Sequence, residues 1–198
     1  MGVQHTQLTM NRPSFPTPDT RAHKTHLVRQ LDTLWLDRLG GGRWAPNAWG
    51  LKAACAWARH SGLVVAGLLL WLALSVEGGG FWASTCLVVA TAAQVGSKRL
   101  ARWASSPRPF ALGLTPNHLG HSDRGGMPST HATVMAATAA FVAVVPGASG
   151  TAGALLVVAL STGWARVVAG AHFPSDVLAG LALGTTLGLL GGALGLIV

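Results

Sequence analysis

The sequence predicts an all-α, polytopic transmembrane bundle of five to six spans, preceded by amphipathic N-terminal helices. Three observations carry this. Half of the 198 residues are hydrophobic and only 10% are charged, against about 25% charged in an ordinary soluble domain. Long apolar runs follow residue 61, and the last, residues 177–198, holds no charge. No segment alternates with the period of two that a transmembrane barrel requires. Backbone groups in lipid must therefore be satisfied within helices.

In chain order, residues 1–26 are polar and basic, with prolines at 13, 16 and 18. They read as a disordered tail without the apolar stretch of a cleavable signal peptide. Residues 27–60 read as amphipathic or interfacial helices. Leu27, Leu31, Leu34, Trp35 and Leu39 share one face there, opposite Arg29, Asp32 and Arg38. This first helix either lies in the interface or packs on the bundle, and Gly40-Gly41-Gly42 ends it. Residues 47–60 mix Trp49 and Trp57 with Lys52 and Arg59, a headgroup-region composition, and run as helix into the stretch that follows.

Residues 61–198 form the membrane-embedded domain, with spans expected at 61–76, 81–96, 130–145, 151–165 and 177–198. Gly180, Gly184, Gly188 and Gly192 fall on one face of the last span, where a neighbouring backbone can approach closely. Cys55 and Cys86 lack metal-ligand spacing and read as small, reduced, buried apolar residues.

One interval breaks the apolar pattern. Residues 98–128 are basic, with four prolines and two histidines, and form the one long loop expected between spans. The connectivity then brings three polar segments to one membrane face: Arg108-Pro109, Pro128-Ser129-Thr130-His131, and Arg166 through Asp176. The formal charge of +8 and a pI near 11.4 suit an anionic partner. The apolar spans argue against nucleic acid and leave an anionic membrane surface or a phosphorylated substrate.

The residue types on that face are those of phosphoryl chemistry. Gly170 breaks the fourth span and Pro174 opens the fifth, so His172 sits just before a helix with Asp176 in its first turn. That spacing lets the carboxylate hold one ring nitrogen and sharpen the other as a nucleophile, although Asp176 also suits a plain helix cap. Ser129 is placed to cap the third span, whose first-turn amides are free for an anion, and His131 stands at the same mouth. Arg108 and Arg166 offer bidentate phosphate contacts. Pro109 to Leu114 reads as a border for a lipid tail or as a packed loop.

Together these residues resemble the type 2 phosphatidic acid phosphatase and haloperoxidase superfamily, with its signatures Lys-x6-Arg-Pro, Pro-Ser-Gly-His and Ser-Arg-x5-His-x3-Asp. Here they stand as Arg108-Pro109, Pro128-Ser129-Thr130-His131 and Ala165-Arg166-x5-His172-x3-Asp176, across residues 61–198. Three positions depart from the pattern. Ala101 stands where the lysine belongs, with Arg102 the first candidate to substitute for it and Lys98 the second. Thr130 replaces a glycine and Ala165 a serine.

The resemblance implies a bacterial inner-membrane lipid phosphatase, similar to the undecaprenyl diphosphatases. His172 would be the nucleophile, Asp176 its orienter and His131 the acid on the leaving oxygen. Arg108, Arg166, Ser129 and the Thr130 amide would hold the phosphoryl oxygens. It implies no cofactor and no metal, and a lipid phosphate or diphosphate as partner: undecaprenyl diphosphate first, then phosphatidylglycerophosphate or phosphatidate. A vanadate-dependent haloperoxidase and a non-catalytic transporter or scaffold are the alternatives. Sidedness stays open. Five spans and the N-terminal charge favour a cytoplasmic active face, whereas six spans, as in the undecaprenyl diphosphatases, favour the outer one. Oligomeric state is not legible in the sequence.

Overall fold

The structure, a computed structural model, describes residues 30–39, 48–123 and 125–197. The expected tail at residues 1–26 and the Gly40-Gly41-Gly42 break lie outside them. Six α-helices are described, and no strand is found among the described residues: α1 at residues 30–38, α2 Ala48–Ser75, α3 Gly79–Ala104, α4 Thr130–Ala143, α5 Ser149–Val168 and α6 Pro174–Gly195.

The helices α2, α5 and α6 are each long and apolar enough to cross a bilayer. Their outward side chains, among them Leu63, Leu70, Trp71, Leu74, Leu156, Leu160 and Leu190, are exposed. Apolar surface on that scale is solvated by lipid. The bundle is thus all-α, polytopic and transmembrane.

The boundaries differ from the sequence expectation in two instructive places. The helix α3 runs on to Ala104, so Lys98 and Arg102 stand on its last two turns rather than in a loop, and the loop itself spans only 105–129. Basic residues are good helix formers and favour a helix C-terminus, so charge alone did not end the helix. The expected span at 130–145 is a helix of 14 residues, about 21 Å long at 1.5 Å per residue. It falls short of a ~30 Å hydrocarbon core. Ala132 and Thr133 and every residue from Met135 to Val142 are buried. As the central helix, shielded by α3, α5 and α6, α4 is solvated by protein and need not reach both interfaces.

Among the described helices, α4 and α6 share the most extensive contact. The glycine row of α6 makes this possible: a Cβ on Gly180 would lie 2.6 Å from the Ser129 carbonyl oxygen, and one on Gly184 or Gly188 would overlap the carbonyls of Thr133 or Ala137. Of the cysteines, Cys86 is buried in the core beside Leu72 and Phe141, while Cys55 is only half-buried, contrary to expectation.

The first amphipathic helix, α1, touches the bundle through Leu36 and Leu39, while Leu31, Leu34 and Trp35 of its expected apolar face stay exposed. Leu36 is buried against Ala132, Val167, Phe173 and Val177. The Asp32 carboxylate accepts from the Ser175 amide (3.1 Å) and the Ser175 hydroxyl (2.5 Å). It therefore caps α6 from another element, using free first-turn donors of that helix. Asp32→Ala is expected to lower stability by about 1 kcal/mol, the typical value of a cap. Equilibrium unfolding in micelles checks this, and a wild-type midpoint would contradict it.

Candidate active site

The turn between α5 and α6 is built by its backbone. Gly170 adopts φ +67°, and a Cβ there would collide with Thr115, whose hydroxyl donates to the Gly170 carbonyl (3.1 Å). Only glycine fits both demands. Pro174 then opens α6, and Asp176 Oδ2 accepts from the Phe173 amide (3.0 Å). The Ser129 amide donates to the Asp176 carbonyl (2.9 Å) and ties the start of α4 to the start of α6.

His172, 2% exposed, is held between these pieces. Its Nδ1 lies 2.9 Å from the Gly126 carbonyl oxygen and 3.6 Å from Asp176 Oδ2. A carbonyl only accepts, so Nδ1 carries the proton and Nε2 keeps its lone pair. The carboxylate stands behind the ring at longer range while serving as the cap. The nearer orienting group is a backbone carbonyl. Gly126 is itself wedged: an added Cβ would meet Ser106 Oγ, Asp176 Oδ2 and the Pro107 carbonyl at 3.1–3.3 Å. Burial foremost, then the charges of Arg108 and Arg166, hold the His172 pKa well below the usual histidine value. The ring is neutral at pH 7.

Two guanidinium groups flank the histidines. Arg108 Nη1 lies 3.3 Å from His172 Nε2 and donates to the Ala171 carbonyl (3.3 Å), while Nη2 donates to Gly125 (3.3 Å). Arg166, 3% exposed, places Nη2 against Nδ1 of His131 and reaches the Ala58 carbonyl through Nη1 (3.5 Å). Guanidinium cannot accept, so the neutral His131 ring carries its proton on Nε2. The two imidazoles therefore hold opposite tautomers. The Nε atoms of both arginines are buried, with no partner among the described residues.

A cavity of about 520 Å³ opens over these groups. His131, His172, Arg108, Arg166 and Thr130 line it, and Lys98 and Arg102 stand on the α3 side with Ala101 between them. Two residues singled out from the sequence are absent from its wall. Ser129 is fully buried at the N-cap of α4, makes no side-chain capping bond there, and its hydroxyl has no partner among the described residues. Asp176 stands behind His172. Phe110 to Leu114 are not on the wall either, and Pro109–Leu112 form a 3-10 turn.

Gln94, His121 and Ser122 also line the cavity, and sequence reasoning missed all three. His121 left a signal, a histidine in a basic loop. The Gly126 carbonyl left none, because a backbone acceptor has no residue type. Among the described residues no group of three or more His, Cys, Asp or Glu is placed to hold a metal ion.

A helical membrane bundle with two imidazoles and two guanidiniums around one cavity is an arrangement that suits phosphate-ester hydrolysis. The family model of the PAP2 superfamily matches residues 79–193, and the chain belongs to that family. No curated protein matches the sequence. The fold is similar to that of the transmembrane PAP2-type phosphatidylglycerolphosphate phosphatase from Bacillus subtilis, at 20% identity and a TM-score of 0.65 over 90% of each chain.

Proposed function

We propose that the protein is a lipid phosphatase that works through a phosphohistidine. The observation that carries this reading is the lone pair on His172 Nε2, presented into a cavity that both arginines and His131 share. Nε2 attacks phosphorus as Arg108 Nη1 turns from it to a phosphoryl oxygen, and the bond from phosphorus to the leaving oxygen breaks with its electron pair on that oxygen. As the substrate's negative charge enters, Arg166 turns from His131 Nδ1 to the phosphoryl oxygens. The freed Nδ1 of His131 then takes up a proton from water, and the ring delivers its Nε2 proton to the leaving oxygen. Water next attacks phosphorus, gives a proton back to His131 and releases inorganic phosphate and the His172 ring. Arg108, Arg166 and the first-turn amide of Thr130 stabilise the equatorial oxygens, the main requirement of phosphoryl transfer. Asp176 positions the turn that carries His172, and Ser129 the start of α4.

Lys98 and Arg102, exposed at the rim, add charge beyond what one phosphoryl group meets at the two arginines. That favours a diphosphate, with undecaprenyl diphosphate the leading substrate and phosphatidylglycerophosphate or phosphatidate next. The reading places the protein in a bacterial inner membrane. Phosphate release from these three lipids by the protein in micelles tests it. The expected order of kcat/KM puts the diphosphate first, with an acid-labile phosphoenzyme trapped on quenching. Release from none of them would end the proposal.

A further inference from the structure

We propose that His121 is a phosphate-binding residue of this chain, donating from the 105–129 loop to the phosphoryl group on a cavity wall where Ala101 supplies no cation. The proposal rests on the phosphatase reading and goes beyond the residues that reading uses. His121 and Ala101 line the same cavity as His131, His172 and both arginines. Its Nε2 is buried, and no hydrogen-bond partner is found for it among the described residues. A buried ring nitrogen without a partner is costly unless something else supplies one, and an anion in the cavity would.

The segment carrying the ring is held at three points. Asn117 brackets the His121 backbone, with Oδ1 accepting from its amide (3.0 Å) and Nδ2 donating to its carbonyl (2.8 Å). Arg59 on α2 donates to the His118 carbonyl (2.9 Å). Leu119 packs against Ala54, Ala58, Ala165 and Val168. The loop therefore presents the ring in one place before any ligand arrives, and preorganisation of this kind favours binding.

The choice of imidazole also has a physical reason. Burial first, then chiefly the charges of Arg166 and Arg108, push the His121 pKa down to about 4. In the empty cavity the ring is neutral and adds no repulsion between the cations. It still offers an N–H to an entering oxyanion. A lysine at the same point would stay charged and work against the arginines until substrate came.

Binding of inorganic phosphate to the purified full-length protein in micelles, followed by calorimetry, tests this directly. His121→Ala is expected to weaken phosphate binding roughly tenfold, the value of one hydrogen bond to a charged group. It should raise KM for a lipid phosphate more than it lowers kcat. Two variants separate recognition from loop packing. His121→Gln, which keeps a donor near the same place, and the double variant His121→Ala with Ala101→Lys, which puts a cation on the wall, should each recover most of the affinity.

Wild-type phosphate affinity in His121→Ala would overturn the proposal. So would equal losses in His121→Ala and His121→Gln accompanied by equal drops in melting temperature, or a wild-type protein that binds no phosphate. Phosphate binding that depends on His121, with no lipid phosphate hydrolysed, would instead refute the phosphatase reading and leave this one standing.

Discussion

His172→Asn is expected to reduce phosphate release roughly ten-thousandfold or more, the scale of losing a nucleophile, and to leave no phosphoenzyme on acid quenching. Asparagine is the informative choice. Its Nδ2 can still donate to the Gly126 carbonyl that Nδ1 of the imidazole faces at 2.9 Å, so the packing of a fully buried position is disturbed least. What it lacks is the second ring nitrogen, the atom proposed to form the covalent bond.

His131→Asn should behave differently. With p-nitrophenyl phosphate, whose leaving group needs little proton assistance, the phosphoenzyme should still form and the defect should shrink relative to a lipid phosphate. The acid limb of kcat/KM reports the free enzyme. Burial and the two arginines hold His172 below the ordinary histidine value, so the ring becomes protonated only well below pH 6.5. Falling pH should leave activity intact through pH 6.5 and remove it lower. Wild-type turnover in His172→Asn would place the chemistry elsewhere.

The converging segments were legible because their residue types are unusual in a membrane chain. Arginine, histidine and aspartate at the ends of apolar runs are expensive there unless they serve something, so Arg108, His131, Arg166 and His172 stood out. Asp176 stood out for the same reason, and its capping alternative was also visible. The tautomer of His172 was not legible, since the spacing to Asp176 allows a contact that the geometry gives to Gly126 instead. A backbone carbonyl competes with a side chain without leaving a letter in the sequence.

The docking of α1 was half legible. The apolar face that includes Leu31, Leu34, Trp35 and Leu39 was visible. Leu36, whose side chain is buried against the bundle, was not assigned to that face, and Asp32 meeting Ser175 joins residues 143 apart. The glycine row of α6 was read as a packing face, but its partner was not. That face meets the α4 backbone at Ser129, Thr133, Ala137 and Phe141, one contact per turn of each helix.

This register makes Gly184→Leu the substitution with the largest expected structural effect. Its Cβ alone would overlap the Thr133 carbonyl, and Ala136 Cβ stands 3.0 Å away. A flexible side chain can move aside, but the backbone of a central helix cannot. Overpacking ordinarily costs about 1–3 kcal/mol, and here the obstacle is main chain, so the upper end or more is expected. The consequence reaches the site. The α6 helix begins at Pro174 beside His172, and the Ser129 amide holds Asp176 at 2.9 Å across the α4–α6 seam. Prising the seam open shifts His172 relative to His131, the two imidazoles that must meet one phosphoryl group. Positioning errors near 1 Å are expensive in catalysis.

Gly67→Leu on the exposed side of α2, where nothing lies within 4 Å of an added Cβ, is the matched control. It adds the same side chain to lipid-facing surface and should leave unfolding and turnover near wild type. Denaturation in micelles with parallel phosphate-release assays compares the two. If Gly184→Leu is as stable and as active as Gly67→Leu, the α4–α6 seam is not what holds the two imidazoles together.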